Sequence, residues 1–196
     1  MGDPEGTEIR AAVKPLLRVR QIREFTAEAP NADQLRAVTD AARWTGSSMN
    51  SQPWRFIVIR DRSVLARIHD AGLPQTRSLR TAPAAVAIVL PEDDHAVSRA
   101  YDDGRAAERM LIAAELVGLR AGIAWITSGV RPLVRELLGL PEDRFVRTIV
   151  VVGHPTEAAL APKNPPGKGR LPRDEVVFEE RWPAATGGSE GDREGG

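Results

Sequence analysis

Two stretches of this chain are apolar with no polar break: AAVAIVL at residues 84–90 and IVVV at residues 149–152. A strand with one wet face alternates polar and apolar residues, so runs like these have to be covered on both faces. Two further short runs, FIVI at residues 56–59 and AGIAWIT at residues 121–127, have the same character. Four such strands demand a sheet in a middle layer with helices on each side.

Helical periodicity supplies the outer layers. Residues 7–18 carry Ile9, Val13, Leu16 and Leu17 on one side. Asn31, with Gln34 three positions on, has the form of a capping box and opens a helix to about Trp44, in which Leu35, Val38 and Ala42 repeat. Shorter helices are expected at residues 63–70 and over VRPLVRELLG, which ends at Gly139; the longest is expected at residues 101–117, around Met110 and Leu111. The order predicts an α+β or α/β three-layer domain. Residues 1–8 and 184–196 are polar, Gly-rich and without apolar period, and are expected to be disordered; residues 9–183 are expected to be one domain. A Pro/Gly-rich segment precedes DEVVFEERW, which has strand propensity. It reads either as an arm reaching onto a partner chain, at about residues 164–183, or as a last edge strand of the same chain.

Several kinds of chemistry drop out. Lys plus Arg equals Asp plus Glu at 27 each, which gives no strongly basic face for nucleic acid. No apolar run reaches the ~20 residues that span a bilayer. The polar start MGDPEGTEIR has no secretory pattern, and the lack of Cys fits a reducing cytoplasm, where the protein is expected to act. His69, His95 and His154 lie far apart in no metal-binding spacing, and no GxSxG accompanies them, so neither a metal nor a hydrolytic triad is expected.

What remains is a set of loops rich in donors. RVRQIREF brings Arg18, Arg20 and Arg23 together, and KGR adds Lys168 and Arg170. GSSMNSQPWRF, residues 46–56, gathers Ser, Asn and Gln beyond the needs of a connector. Guanidinium, ammonium and amide donors on loops are what a phosphate requires. No glycine signature of a Rossmann turn or P-loop is present, so any nucleotide-like ligand would be held by side chains.

RQIREF followed by AARWTGSSMNSQPWRF resembles the opening of the nitroreductase family of FMN-dependent oxidoreductases. The resemblance continues through YDDGRAAERMLIAAELVGL, VRELLGLPED, IVVVGHP and KGRLP, and covers roughly residues 18–182. It implies an α+β fold: a three-layer domain with a central mixed or antiparallel sheet of four to five strands flanked by helices. It implies a homodimer with FMN at the subunit interface, and transfer of two electrons from NADH or NADPH to a nitroaromatic, quinone or similar small oxidant, in ping-pong fashion. The flavin carries the chemistry, so no catalytic side chain is assigned. Arg20 and Arg23 would contact FMN at its phosphate and pyrimidine ends, and Lys168 and Arg170 would close on the phosphate. Ser47, Ser48 and Asn50 would approach the flavin of the partner subunit, with Gln52 either joining them or bracing the loop. Backbone amides of about residues 126–129 would face the ring.

The pattern departs from the family at Val19, where an Arg is usual, and at Gln21, where a Ser is usual. The phosphate role then falls to Arg18 or Arg20, and Gln21 can still donate through its amide. Gly46 replaces a Pro, and AGLPQTRSLR is short where relatives shape their substrate pocket. Trp54 is read as a core or interface anchor. Two other readings stay open: a specialised flavin-dependent oxidase or dehydrogenase of the same fold, and a flavin-binding protein without turnover.

Overall fold

The computed structural model describes residues 4–161 and 169–182. The chain divides into two compact units, one ending at Ala161 and one starting at Pro162. The first holds α1 (Pro4–Arg18), α2 (Ala32–Arg43), β1 (Arg55–Ile59), α3 (Arg62–Ala71), β2 (Ala84–Pro91), α4 (Ala96–Leu116), β3 (Arg120–Trp125), α5 (Arg131–Leu138), β4 (Arg144–Gly153) and the single turn α6 (Glu157–Leu160). The first helix starts at Pro4, inside the stretch expected to be disordered. Proline at a first helical position forfeits only an amide that has no helical partner.

The strands form one antiparallel sheet in the order β1-β2-β4-β3. Alternation along β2 explains the layering. Ala84, Val86, Ile88 and Leu90 face α2 and α4, where they meet Leu35, Val38, Met110 and Ala114. Ala85, Ala87 and Val89 face the opposite way, onto Leu65, Ile68 and Val134 of α3 and α5. Both faces are dry, as the unbroken apolar runs require. Trp54 is buried at 4 % exposure beside Phe56, with ring centroids 6.4 Å apart, which is the anchoring role expected of it.

The ladder between β2 and β4 slips once, because Ile88 pairs with Thr148 while Val89 pairs with Val146. Arg147 is the extra residue of a β-bulge. Its insertion lets Phe145 and Thr148, three apart, sit on the same side of the sheet, where strict alternation would have separated them.

Helix ends follow local chemistry. The Asn31 side chain accepts from the Gln34 amide (2.8 Å), and Gln34 Oε1 accepts from the Asn31 amide (3.0 Å), closing the capping box. Gln34 Nε2 also donates to the Val117 carbonyl (3.1 Å), tying α2 to the end of α4. α5 stops at Gly139, whose φ of 62° is the left-handed cap that glycine supplies without strain. Among the described residues no helix is long and apolar enough to cross a membrane.

In the second unit the segment with strand propensity is not a strand. A 3-10 turn spans Arg173–Glu175, and the Val176 and Val177 amides both donate to the Arg173 carbonyl (3.1 and 2.8 Å). Phe178 and Trp182 pack edge to face at 4.9 Å. β-branched residues favour a strand only where a pleated neighbour takes their backbone bonds, and none lies among the described residues of this unit.

Candidate functional site

β3 is an outer strand, and the chain leaving α1 is laid along its free edge. The Ile22 amide donates to the Ala121 carbonyl (2.9 Å), and the Ile123 amide donates to Gln21 Oε1 (3.3 Å). This approach needs a glycine: a Cβ on Gly122 would lie 2.1 Å from the Ile22 carbonyl oxygen. Further on, the Phe25 amide donates to Thr81 Oγ1 (3.1 Å), and the Thr26 amide to the His154 carbonyl (2.9 Å). Ile22 and Phe25 are buried, so the segment is anchored at both points and Gln21 and Arg23 are left exposed between and beside them.

These two residues form one wall of a cavity of about 420 Å³. Ile123 and Trp125 of β3 form its floor, and Pro74, Gln75 and Arg77, from the connection between α3 and β2, form the far wall. That connection is held from below. Thr76 and Leu79 are buried, and Thr76 Oγ1 donates to the His69 carbonyl (2.8 Å), so Gln75 and Arg77 project outward. Two guanidinium groups, two amides, an indole and an aliphatic side chain thus converge on one space. Such a lining suits a flat, partly apolar, anionic group. Gln21 Oε1 is occupied by Ile123, which turns its Nε2 into the available donor. Neither the Arg23 nor the Arg77 side chain makes a hydrogen bond or ion pair among the described residues.

Arg20 lies outside this cavity. Its guanidinium donates to the carbonyls of Ala159 (3.4 Å), Leu160 and Ala161 (3.5 Å), capping the end of α6. Arg18 ends α1, where a cation complements the helix dipole, and has no side-chain bond among the described residues.

The loop with Ser47, Ser48, Asn50 and Gln52 leads into β1, at the opposite edge of the sheet. Three inter-strand spacings, about 14 Å, separate the two edges. The loop is tightly wound: Met49, Asn50 and Gln52 all have positive φ (49°, 52° and 46°), a conformation L-residues rarely hold without cause. Ser47 Oγ accepts from the Gln52 amide (2.9 Å), and the Gln52 carbonyl accepts from Arg55 (3.1 Å). Gln52 therefore braces the loop, while Ser48 and Asn50 are exposed. The Ile126 amide is taken by the Arg147 carbonyl (2.8 Å), leaving those of Thr127, Ser128 and Gly129 without an acceptor among the described residues. Lys168 lies outside the described residues, and Arg170 belongs to the second unit.

Of the residues the sequence suggests as flavin contacts, Gln21 and Arg23 line this cavity; Gln75 and Arg77, which the sequence did not single out, line it too. Their segment carries no periodicity; a basic residue and an amide beside a proline in a short connection were the only signal.

A four-stranded antiparallel sheet with helices on both faces is shared with solved flavoenzyme structures. An FMN-dependent nitroreductase from Clostridium difficile R20291 superposes with a TM-score of 0.74 at 22% identity, covering 86% of this chain and 99% of that one. In sequence, a family model described as the nitroreductase family matches residues 18–84. A protein of Archaeoglobus fulgidus, provisionally named an NADH dehydrogenase/NAD(P)H nitroreductase, is 31% identical over 156 residues, which is 74% of this chain and 86% of the relative. An NADPH-flavin oxidoreductase of Vibrio harveyi is 28% identical over 187 residues, 87% of this chain and 74% of that protein. The chain belongs to the nitroreductase family.

Proposed function

We propose that this protein is an FMN-dependent oxidoreductase of the cytoplasm that moves two electrons from NADH or NADPH to a nitroaromatic, quinone or similar small oxidant. Donor and acceptor use the same cavity in turn, a ping-pong scheme. The observation that carries the reading is the cavity on the outer edge of β3, where Gln21, Arg23 and Arg77 bring donors and charge to a floor of Ile123 and Trp125. These residues fit FMN: uncommitted guanidinium groups for its anionic parts, an amide donor for its heteroatoms, and an apolar surface for a flat ring. When bound, FMN supplies the hydride and electron chemistry. Positive charge from Arg23 and Arg77 favours a group that gains negative charge on reduction. The cavity's described lining has no carboxylate and no His, so the protein's part is to bind, orient and bias charge.

The second element of the proposal is a homodimer. Ser47, Ser48 and Asn50 do not line their own chain's cavity and lead into the strand at the opposite edge of the sheet, and a second copy would bring them to it. Exposed apolar surface supports this. Ile9, Val13, Leu16 and Leu17 of α1 are exposed, and Ala41, Ile112, Ala113 and Leu116 line a shallow groove between α2 and α4. Arg18, with no side-chain partner among the described residues, takes the phosphate role in preference to Arg20. Lys168 and Arg170, which the resemblance also assigns to the phosphate, would add to this charge.

The test is spectroscopic. Purified protein incubated with FMN should retain flavin absorbance through gel filtration, and the band should bleach under anaerobic NADH or NADPH and return on addition of a nitroaromatic. Protein that stays colourless would sink the reading. Yellow protein that neither nicotinamide bleaches would redirect it to a specialised oxidase or a flavin-binding protein.

A further inference from the structure

A second, smaller cavity of about 160 Å³ lies at the other side of the β4 bulge, between the end of β2, the start of β4, the first turn of α4 and the first residue of α5. Four of its charged side chains are Glu92, Asp93, Arg99 and Arg131, and Arg147 completes the wall. Three of the five are already matched. Arg99 donates to Asp93 at 2.8 Å, and Glu92 pairs with Arg135 at 3.1 Å. Arg131 and Arg147 are not. Their guanidinium carbons lie 4.4 and 5.5 Å from the centroid of the same ring, Phe145, and the two cations are near enough for the Arg147 charge to act on Arg131. Neither makes a hydrogen bond or ion pair among the described residues, and Arg131 Nε is buried with no acceptor.

Like charges held in proximity and partly withdrawn from water raise each other's energy. Burial, and after it the Arg147 charge, pull the Arg131 pKa down. Negative charge reaches Arg131 from Glu92 in the lining and from Asp103 of α4, 3 % exposed, whose Oδ2 accepts from Thr148 Oγ1 at 2.7 Å and whose Oδ1 has no partner among the described residues. With Asp93 and Glu92 answered by Arg99 and Arg135, Asp103 alone is left against Arg131 and Arg147, an excess of one positive charge at the cavity. The bulge is what creates it, since the inserted Arg147 adds a cation beside Phe145 without displacing Thr148.

We infer that this cavity is an oxyanion subsite, distinct from the cavity on the β3 edge, in which Arg131 and Arg147 hold a tetrahedral dianion such as a phosphate or sulfate group. Planar guanidinium forks match the oxygens of such a group. The volume falls well below the ~300–1,000 Å³ of sites that enclose whole drug-sized ligands, so a free ion or the head group of a phosphate monoester is the occupant.

The test uses full-length protein saturated with FMN, so that a phosphate site in the β3-edge cavity is filled before titration. Sodium sulfate is added at ionic strength held constant with sodium chloride, and heat of binding and thermal unfolding are both followed. Wild type should show saturable binding that chloride does not mimic. R131Q and R147Q should each weaken it at least tenfold, D103N should strengthen it severalfold, and R23Q should leave it unchanged. R131K, which keeps the charge but loses the fork, should fall between wild type and R131Q, and it serves if R131Q fails to fold. Parallel titrations with inorganic phosphate and glycerol 3-phosphate separate the sources. Equal affinity supports a free ion; tighter binding of the ester supports a head group. The inference is overturned if sulfate binds R131Q and R147Q as it binds wild type, if chloride reproduces its effect, or if R23Q alone abolishes binding. Should the protein fail to take up FMN, the same titration on the protein as purified still reports on Arg131 and Arg147, so the two readings fail separately.

Discussion

Gly122→Ala is the smallest change that should disable the β3-edge cavity without touching its lining. The added methyl would sit 2.1 Å from the Ile22 carbonyl oxygen, against a practical minimum of 3.0 Å, so the segment carrying Gln21 and Arg23 has to retreat by the difference of 0.9 Å or more. A retreat of that size takes the 2.9 Å bond from Ile22 to Ala121, and the already long 3.3 Å bond to Gln21, out of hydrogen-bonding range. Two such bonds are worth about 1–3 kcal/mol net, and forcing a methyl into a packed contact adds about 1–3 kcal/mol. If ~2 kcal/mol of this must be repaid to bring Gln21 and Arg23 back into place, FMN affinity falls roughly 30-fold. Flavin fluorescence titration reads the affinity, and thermal unfolding at fixed protein and FMN concentration reads the stability. Gly104→Ala is the control: it lies in α4 with nothing within 4 Å of the added atom, and alanine should gain up to ~1 kcal/mol there. A G122A protein with wild-type FMN affinity and unfolding temperature would refute the close approach and the role given to the segment.

Arg77→Gln should weaken FMN binding by about 10- to 100-fold, the worth of one charge-assisted hydrogen bond, with no change in apoprotein stability; an unchanged dissociation constant would remove Arg77 from the site. Asp103 has its pKa raised from 3.8 to about 6, chiefly by burial. The folded state then binds its proton more tightly, so stability gained by protonation appears as pH falls from 6 towards 3.8 and is lost as pH rises through 6. Asp103→Asn should accordingly be more stable than wild type at pH 8 by up to about 3 kcal/mol, with the gap closing near pH 4, as read by urea unfolding across that range. Asn31→Ala removes the acceptor for the Gln34 amide and should cost about 1 kcal/mol of unfolding free energy, with Gln34→Ala additionally loosening α2 from Val117.

Where a single local rule governs a residue, the sequence was a sufficient guide. The Asn31 box, the apolar strands and the Gly139 stop each follow from chemistry within a few positions, and each lies where the pattern put it. α4 begins at Ala96, five residues before Tyr101, because its first turn buries no apolar side chain and shows no apolar period to read. The bulge at Arg147 left no trace in composition, since pairing with β2 is what defines it. The site divides the same way. Gln21 and Arg23 stand out in a cluster of cations, but the commitment of Arg20 to α6 depends on residues 139–141 positions away. Val176 and Val177 carry strand propensity with no strand among the described residues of their unit to realise it.

The strip of chain laid on β3 does a second job. A bare outer strand offers a row of amides and carbonyls to any other extended polypeptide, and so invites self-association. The residues that close this flank are the same ones that present Gln21 and Arg23. A nick or substitution that peels the strip away should therefore make the protein lose its colour and begin to precipitate together, and solubility would be an early readout of damage to the cavity.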